Sequence, residues 1–459
     1  MMIHTRARLN RAAGVVTAVA ACCSFVLIAG LPRDASALPS FARQTGQECA
    51  ACHNGFPELT PYGRLFKLNG YTFTGGVPGT GEQSKLPPLS VMMATSFTHT
   101  QAGQQGGAAP HFAPNDNPAF DMASLFYGGI IAPNLGAFVQ GTYNGVSRSF
   151  NWDNLDIRYA RSYTMFGAET VSGISVNNNP AMSDVWNTTP AWRFPYIKSG
   201  LAPMPNAATM IEGSLAQQVL GVTAYTFWNR LLYAEVGGYQ TLSPLMDSAL
   251  GATSTGNSTS GIAPYWRLAM QQEWGRSNFE LGTFGMAGAM YPGRVTGSGT
   301  DRYTDIGFDA QYQFLADRDS FSVQASLINE NQDLRASSVL GNSSNQTNTL
   351  RSLNAKASYS YDQTYYGTLG YFQVDGNTDA GLYGATSANN SPNSSGFTAE
   401  IDYMPFNHGG PSFWPWLNAK IGLQYIYYTK FNGATTNYDG AGRNAADNNT
   451  LYLFAWLAF

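Results

Sequence analysis

The strongest constraint on the fold is a rhythm. From Leu89 to the terminal Phe459, segments of roughly ten to thirteen residues alternate aromatic or β-branched residues with small or polar ones. Sixteen such segments lie near 90–101, 119–131, 134–144, 154–163, 166–177, 216–228, 231–242, 262–274, 277–291, 302–316, 319–330, 349–361, 364–375, 396–405, 417–429 and 448–459. The links between them alternate in length. Ala132-Pro133, Asn229-Arg230, Gly275-Arg276, Asp317-Arg318 and Asp362-Gln363 are short, whereas 243–261, 331–348, 376–395 and 430–447 are long and rich in Gly, Ser, Asn and Thr. Short turns on one side and long loops on the other are the pattern of a transmembrane barrel. A soluble sandwich or propeller has no reason to alternate its links so regularly.

Composition agrees. Charged residues make up 12% of the chain and aromatic residues 13%, with 49 glycines. A soluble globular chain carries about 25% charge. No run of about 18 apolar residues follows residue 37, so no transmembrane helix is expected. The reading is all-β: a closed antiparallel transmembrane β-barrel of about 16 strands, preceded by a small N-terminal, partly helical segment. Closure removes the sheet edges that would otherwise pair with other chains. The final strand ends on Phe459, as expected of a barrel recognised for assembly through its terminal strand.

The first 37 residues read as an export signal. Arg6, Arg8 and Arg11 precede an apolar run from Ala12 to Gly30, and Ala35-Ser36-Ala37 is a small-x-small cleavage site. An uncleaved anchor and lipidation at Cys22, after Val19-Ala20-Ala21, are the alternatives. Cleavage takes four basic and one acidic residue from totals of 25 and 29, leaving 21 and 28 and a formal charge of −7. A nucleic-acid partner would require a basic stripe, and the chain has none. Cleavage also removes Cys22 and Cys23. The two cysteines left are too few for a disulfide framework.

Those two, Cys49 and Cys52, are followed by His53 in Glu48-Cys-Ala-Ala-Cys-His-Asn-Gly-Phe56, the C-x-x-C-H attachment sequence of a c-type haem. Two thiols at this spacing bind the two haem vinyl groups, and the adjacent His53 becomes the proximal iron ligand. The same spacing serves redox thiols and zinc. The following histidine, the export signal and the lack of a second C-x-x-C favour one covalently bound haem c. After the motif, Thr60 caps a helix that Pro61 opens and Asn69-Gly70 ends. Tyr62, Leu65 and Phe66 share one face of that helix and are expected to cover the porphyrin or to pack on the wall. The distal ligand stays open among His99, Met92 and Met93; the two methionines point to opposite faces of a strand.

The chain thus divides into a signal at 1–37, a monohaem segment at 38–88 and a barrel at 89–459. Some fifty residues cannot bury a haem alone, and a sixteen-strand lumen has room for them as a plug. An even strand count puts both termini on the periplasmic side. The link 178–215, with Trp186 and Trp192, is expected to fold into the lumen, with an external cap as the alternative. Asp116, Asp121, Asp247 and Asp301 are acids that would attract cations weakly. Arg158, Arg161 and Arg193 are the candidates for a charged constriction.

These residues resemble the fused outer-membrane cytochrome–porins of iron-oxidising bacteria. The likeness covers nearly the whole mature chain, from LPSFARQTGQECAACHNGFPELTPYGRLFKLNGYTF through NLDIRYARSYTMFGAE and NNPAMSDVWNTTPAWRFPY to KIGLQYIYYTKFNG. It implies an outer-membrane conduit that takes single electrons from extracellular Fe(II) and passes them to a periplasmic c-type cytochrome, an iron:cytochrome c oxidoreductase working by outer-sphere transfer. On the same resemblance Cys49 and Cys52 carry the haem and His53 ligates it. Outward transfer to an extracellular acceptor, and a diffusion porin with a structural or sensory haem, are the rival expectations.

Overall fold

The computed structural model describes residues 38–74, 77–78, 87–251, 256–414 and 416–459. The expected signal at 1–37, with the lipidation alternative at Cys22, lies outside the described residues, as does part of the 38–88 segment. Among the described residues, sixteen long strands close into one antiparallel barrel. In chain order these are β1 Leu89–Thr100, β2 Asn117–Ala132, β3 Leu135–Asn144, β4 Ser149–Met165, β5 Ala168–Asn177, β6 Val219–Trp228, β7 Leu232–Thr241 and β8 Ala263–Trp274. They continue as β9 Ser277–Tyr291, β10 Asp301–Leu315, β11 Asp319–Asp333, β12 Thr347–Tyr361, β13 Tyr365–Gly376, β14 Ser394–Tyr403, β15 Asn418–Lys430 and β16 Thr450–Ala458. A two-residue strand, Ser258–Thr259, fills in beside β7 and β9. The seam joins last strand to first, with Tyr452 opposite Thr98 and Ala458 opposite Met92.

Each expected segment is a strand, and the ends differ where alternation fades. β11 runs on to Asp333 through outward-facing Asn329 and Asn331, which continue the ladder beyond the apolar stretch. The tight links work because their residues accept left-handed backbone: Asn229 and Arg230, and again Asp362 and Gln363, have φ between 43° and 54°. One link at this end breaks the rule. Residues 404–417 join β14 to β15 across fourteen positions.

The faces of the strands are inverted relative to a soluble protein. Leu125, Val236, Leu268, Phe308, Leu369 and Ile401 point outward and are 53–63% exposed. Arg158, Glu235, Arg267, Glu280, Gln313 and Gln424 point inward and are buried. An apolar exterior around a polar interior is stable only where the exterior meets lipid, so the fold is that of a porin-like outer-membrane barrel.

The lumen is filled. The link 178–215 enters it as a strap: Ala181, Met182, Val185, Trp186 and Thr189 are wholly buried. Trp186 Nε1 donates to Gln271 Oε1 at 2.7 Å, and its carbonyl accepts from Gln311 and Gln324 at 2.6 and 2.9 Å. Further along, Ser199 meets Thr98 at 2.6 Å, and Gln424 donates to the Ile197 carbonyl at 3.0 Å. The backbone amide of Ile211 donates to Asp305 at 2.8 Å. The strap therefore spans the lumen from β10 and β11 across to β1 and β15. Its interior position is the first of the two that the sequence left open.

Candidate functional site

The N-terminal residues form a plug at the short-turn mouth. Helix α1, Pro39–Thr45, stops at Gly46, whose φ of 67° lets its amide return to the Ala42 carbonyl. Helix α2 is a single turn, Cys49–Cys52, and helix α3 is Pro61–Leu68. Thr60 ties the last two together. Its hydroxyl donates to the Ala51 carbonyl at 2.6 Å and accepts from the Gly63 amide at 3.2 Å, while its own amide donates to the Cys52 carbonyl at 2.9 Å. A Cβ at Gly63 would stand 2.3 Å from the Cys52 oxygen, so only glycine lets α3 sit this close to the cysteine turn.

The barrel wall grips this turn through residues some 300 positions away. Asn418 Nδ2 donates to Cys49 Sγ at 3.1 Å. Gln363 Nε2 donates to the Ala50 and His53 carbonyls, both at 3.0 Å, and the Ala50 amide donates to the Asn407 carbonyl at 3.1 Å. The long link 404–417 is thus a platform under the motif. His408 lies on it, with Nδ1 3.4 Å from Glu48 and Nε2 2.8 Å from the Asp362 carbonyl. Glu58 is buried against Lys356 Nζ at 2.6 Å and accepts from Gln313 at 2.9 Å. Burial alone would raise the Glu58 carboxyl. The Lys356 ammonium and the hydrogen bonds outweigh it and hold Glu58 below the ordinary glutamate value.

Both cysteines are buried. Burial pushes the Cys52 thiol up to about 12, and burial with the neighbouring Cys52 raises the Cys49 thiol as well. Neither is poised as the free thiolate that redox exchange needs. Among the described residues no group of three or more His, Cys, Asp or Glu gathers as a metal site, so the zinc reading lacks its remaining ligands. Burial also lowers His53 to about 4, which keeps the imidazole neutral, the form that ligates iron. The buried hydroxyl of Tyr62 has no hydrogen-bond partner, and burial raises it above the ordinary tyrosine value. Two thiols one helical turn apart, followed by a neutral imidazole, form the donor set that a covalent haem c needs.

The helix face read from sequence packs together. Phe66 meets Phe41 at 4.9 Å, edge to face, and Phe73 at 6.0 Å; Tyr62 and Leu65 join the same cluster. The three distal candidates separate. Met92 faces inward and packs against the same buried cluster, around Trp456 and Phe454, as Phe56, the ring beside His53. Met93 and His99 do not come to His53. Alternation along β1 turns both outward, Met93 to 41% exposure and His99 to a 2.7 Å contact with Asp116 at the rim.

The candidate constriction is not assembled. Arg158 is buried 2.8 Å from Asp156, Arg193 pairs with Glu212, and Arg161 faces outward. Of the acids, Asp121, Asp247 and Asp301 are buried, bound respectively by Ser96, Arg294 and Ser337. Sequence reasoning missed Gln363, Lys356, Trp456 and Asn418, because nothing local marks a strand residue as a support for a motif at the other end of the chain.

No family model matches the chain, and no curated protein matches it. Among solved structures it is similar to Pseudomonas putida OprB, with 12% identity, 81% of this chain and 93% of that one covered, and a TM-score of 0.48. It is similar also to Salmonella typhi OmpF, with 12% identity, 81% and 97% covered, and a TM-score of 0.45. A third is the anion-selective porin from Comamonas acidovorans, with 12% identity, 81% and 98% covered, and a TM-score of 0.43.

Proposed function

We propose that this barrel is an electron conduit of the outer membrane, a cytochrome–porin fusion that accepts electrons from extracellular Fe(II) and delivers them to a periplasmic c-type cytochrome. The observation that carries the reading is the Cys49–His53 turn, lodged in the mouth of a filled barrel and fixed to its wall by Asn418 and Gln363. Haem bound there through Cys49, Cys52 and His53 supplies a one-electron acceptor, matching the one-electron change of Fe(II) to Fe(III). Asn418 and Gln363 hold the attachment turn in register with the wall. Phe56 orients the His53 ring from 5.1 Å. Phe66, Phe73 and Tyr62 form an apolar cluster on α3, the helix that Thr60 ties to the turn.

A diffusion porin needs an open lumen. Here the strap and α3 occupy it, with Arg64 of α3 hydrogen-bonded to Gln271, Asn278, Gln311 and Gln313 of the wall. This favours conduction of electrons over passage of solutes. Attachment is tested by the pyridine haemochrome of the purified protein, which C49S or C52S would remove. Activity is tested by anaerobic stopped-flow mixing of oxidised protein with ferrous iron, following the reduced α-band. Rapid reduction supports the inward conduit. Reduction by dithionite but not by Fe(II) overturns the donor assignment and leaves outward transfer.

A further inference from the structure

The inner wall is polar along most strands. β11 presents Ser320, Ser322, Gln324 and Ser326 to the lumen, and β12 presents Asn354, Lys356, Ser358 and Ser360. β16 departs from this. Its consecutive inward positions Tyr452, Phe454 and Trp456 are 1%, 1% and 5% exposed. Among the described residues no other barrel strand carries three aromatic rings in successive inward positions.

The row connects to the haem motif. The rings of His53 and Phe56 are 5.1 Å apart, and those of Phe56 and Trp456 5.0 Å, edge to face. Trp456 and Phe454 share one buried cluster, and Phe454 stacks with Tyr452 at 5.2 Å. The wall makes room for the middle ring: a Cβ at Gly422 of β15 would stand 2.2 Å from Phe454. The Tyr452 hydroxyl donates to Asp121 at 3.1 Å, and Ser96 holds the same carboxylate. From residue 456 to residue 452 the strand rises about 14 Å toward the long-loop end.

We propose that Phe56, Trp456, Phe454 and Tyr452 form an aromatic ladder that couples the haem site electronically to the loop side of the lumen, an inference resting on the conduit reading above. The rings are not oxidised. One electron leaves Fe(II), one reaches the haem iron, and the ladder, with Trp456 and Phe454 joined through one buried cluster, supplies the packed medium between them. Electronic coupling falls exponentially across gaps, so contact between successive π-systems matters more than the identity of each ring.

The test uses the haem-loaded protein in liposomes of known orientation, with membrane-impermeant reductants added to one side. F454L and W456L are expected to slow reduction from the loop side by an order of magnitude, and F454L to leave reduction from the turn side unchanged. F454Y and W456F, which keep the rings, should restore the loop-side rate. A second readout is independent of turnover: haem loading should quench the emission that W456F removes more strongly than the remaining tryptophan emission. Equal rates in F454L, W456L and wild type, or equal slowing of F454L from both sides, overturn the ladder. Wild-type protein that is not reduced from the loop side overturns the conduit itself. Altered melting of the leucine variants is resolved by the ring-keeping pair, which must then melt like wild type and conduct like it.

Discussion

Replacing Lys356 by methionine removes one half of the bond between plug and wall. Glu58 Oε2 lies 2.6 Å from Lys356 Nζ, with the two side chains 5% and 4% exposed. In K356M the carboxylate keeps Gln313 as a donor but loses its counter-charge. Removing one partner of a buried ion pair costs about 3–5 kcal/mol, because the remaining charge is uncompensated. At about 1.4 kcal/mol per factor of ten, the undocked plug should be populated roughly two to four orders of magnitude more often. The double variant E58L/K356M should recover most of this loss. Two apolar side chains leave no orphaned charge, and Gln313 Nε2 retains the Leu59 carbonyl at 3.2 Å. Opening events in a planar bilayer count undocking directly, and the cycle of single and double variants isolates the pair. An unchanged opening frequency in K356M, or an E58L/K356M variant worse than either single change, would refute the assignment of Glu58 as a plug anchor.

Plug docking should weaken as pH falls from about 10 to 7. Burial first, and the Arg158 charge second, lower Lys67 from 10.5 to about 7. Between those values the undocked plug binds the extra proton, so docking loses stability on acidification and the loss is complete below about 7; K67M should flatten the opening-frequency profile across that window. Glu58 acts in the same direction at lower pH, since its depressed carboxyl contributes stability that disappears as pH falls through its folded value. Trp186→Ala removes the most buried ring of the strap and should cost about 3–5 kcal/mol, read as a lower thermal midpoint of the folded barrel in detergent. G63A should lift α3 from the cysteine turn, at an overpacking cost of about 1–3 kcal/mol seen as more frequent opening. Deleting residues 38–74 should raise the conductance in a planar bilayer, and deleting the strap as well should raise it further.

Much of the architecture was legible because barrels write themselves into local pattern. Period-two alternation locates a strand, and the short links at Asn229-Arg230 and Asp362-Gln363 locate turns, without knowledge of any distant partner. The Thr60 cap and the Pro61 start were likewise local and appear as expected. His99 shows where local reading stops. Its place after the haem segment made it a candidate ligand, but strand parity turns it to the outside of the wall, beside Asp116. Alternation puts His99 on the same row as Met93 from the sequence alone, but which row faces outward is settled only when the barrel closes, with β1 paired to β16 across some 350 residues.

The sequence by itself determined the barrel class, the alternation of turns and loops, the one-turn spacing of Cys49 and Cys52 before His53, and the helix that follows. Each depends on neighbours within a few residues. Tertiary structure alone decided what fills the lumen and what supports the motif: Lys356 beneath Glu58, Asn418 against Cys49, Trp456 beside Phe56 and the strap around Trp186. The physical reason is closure. Rolling sixteen strands into a cylinder brings inward residues from opposite ends of the chain to one interior, and their pairing follows from register and shear rather than from any local preference.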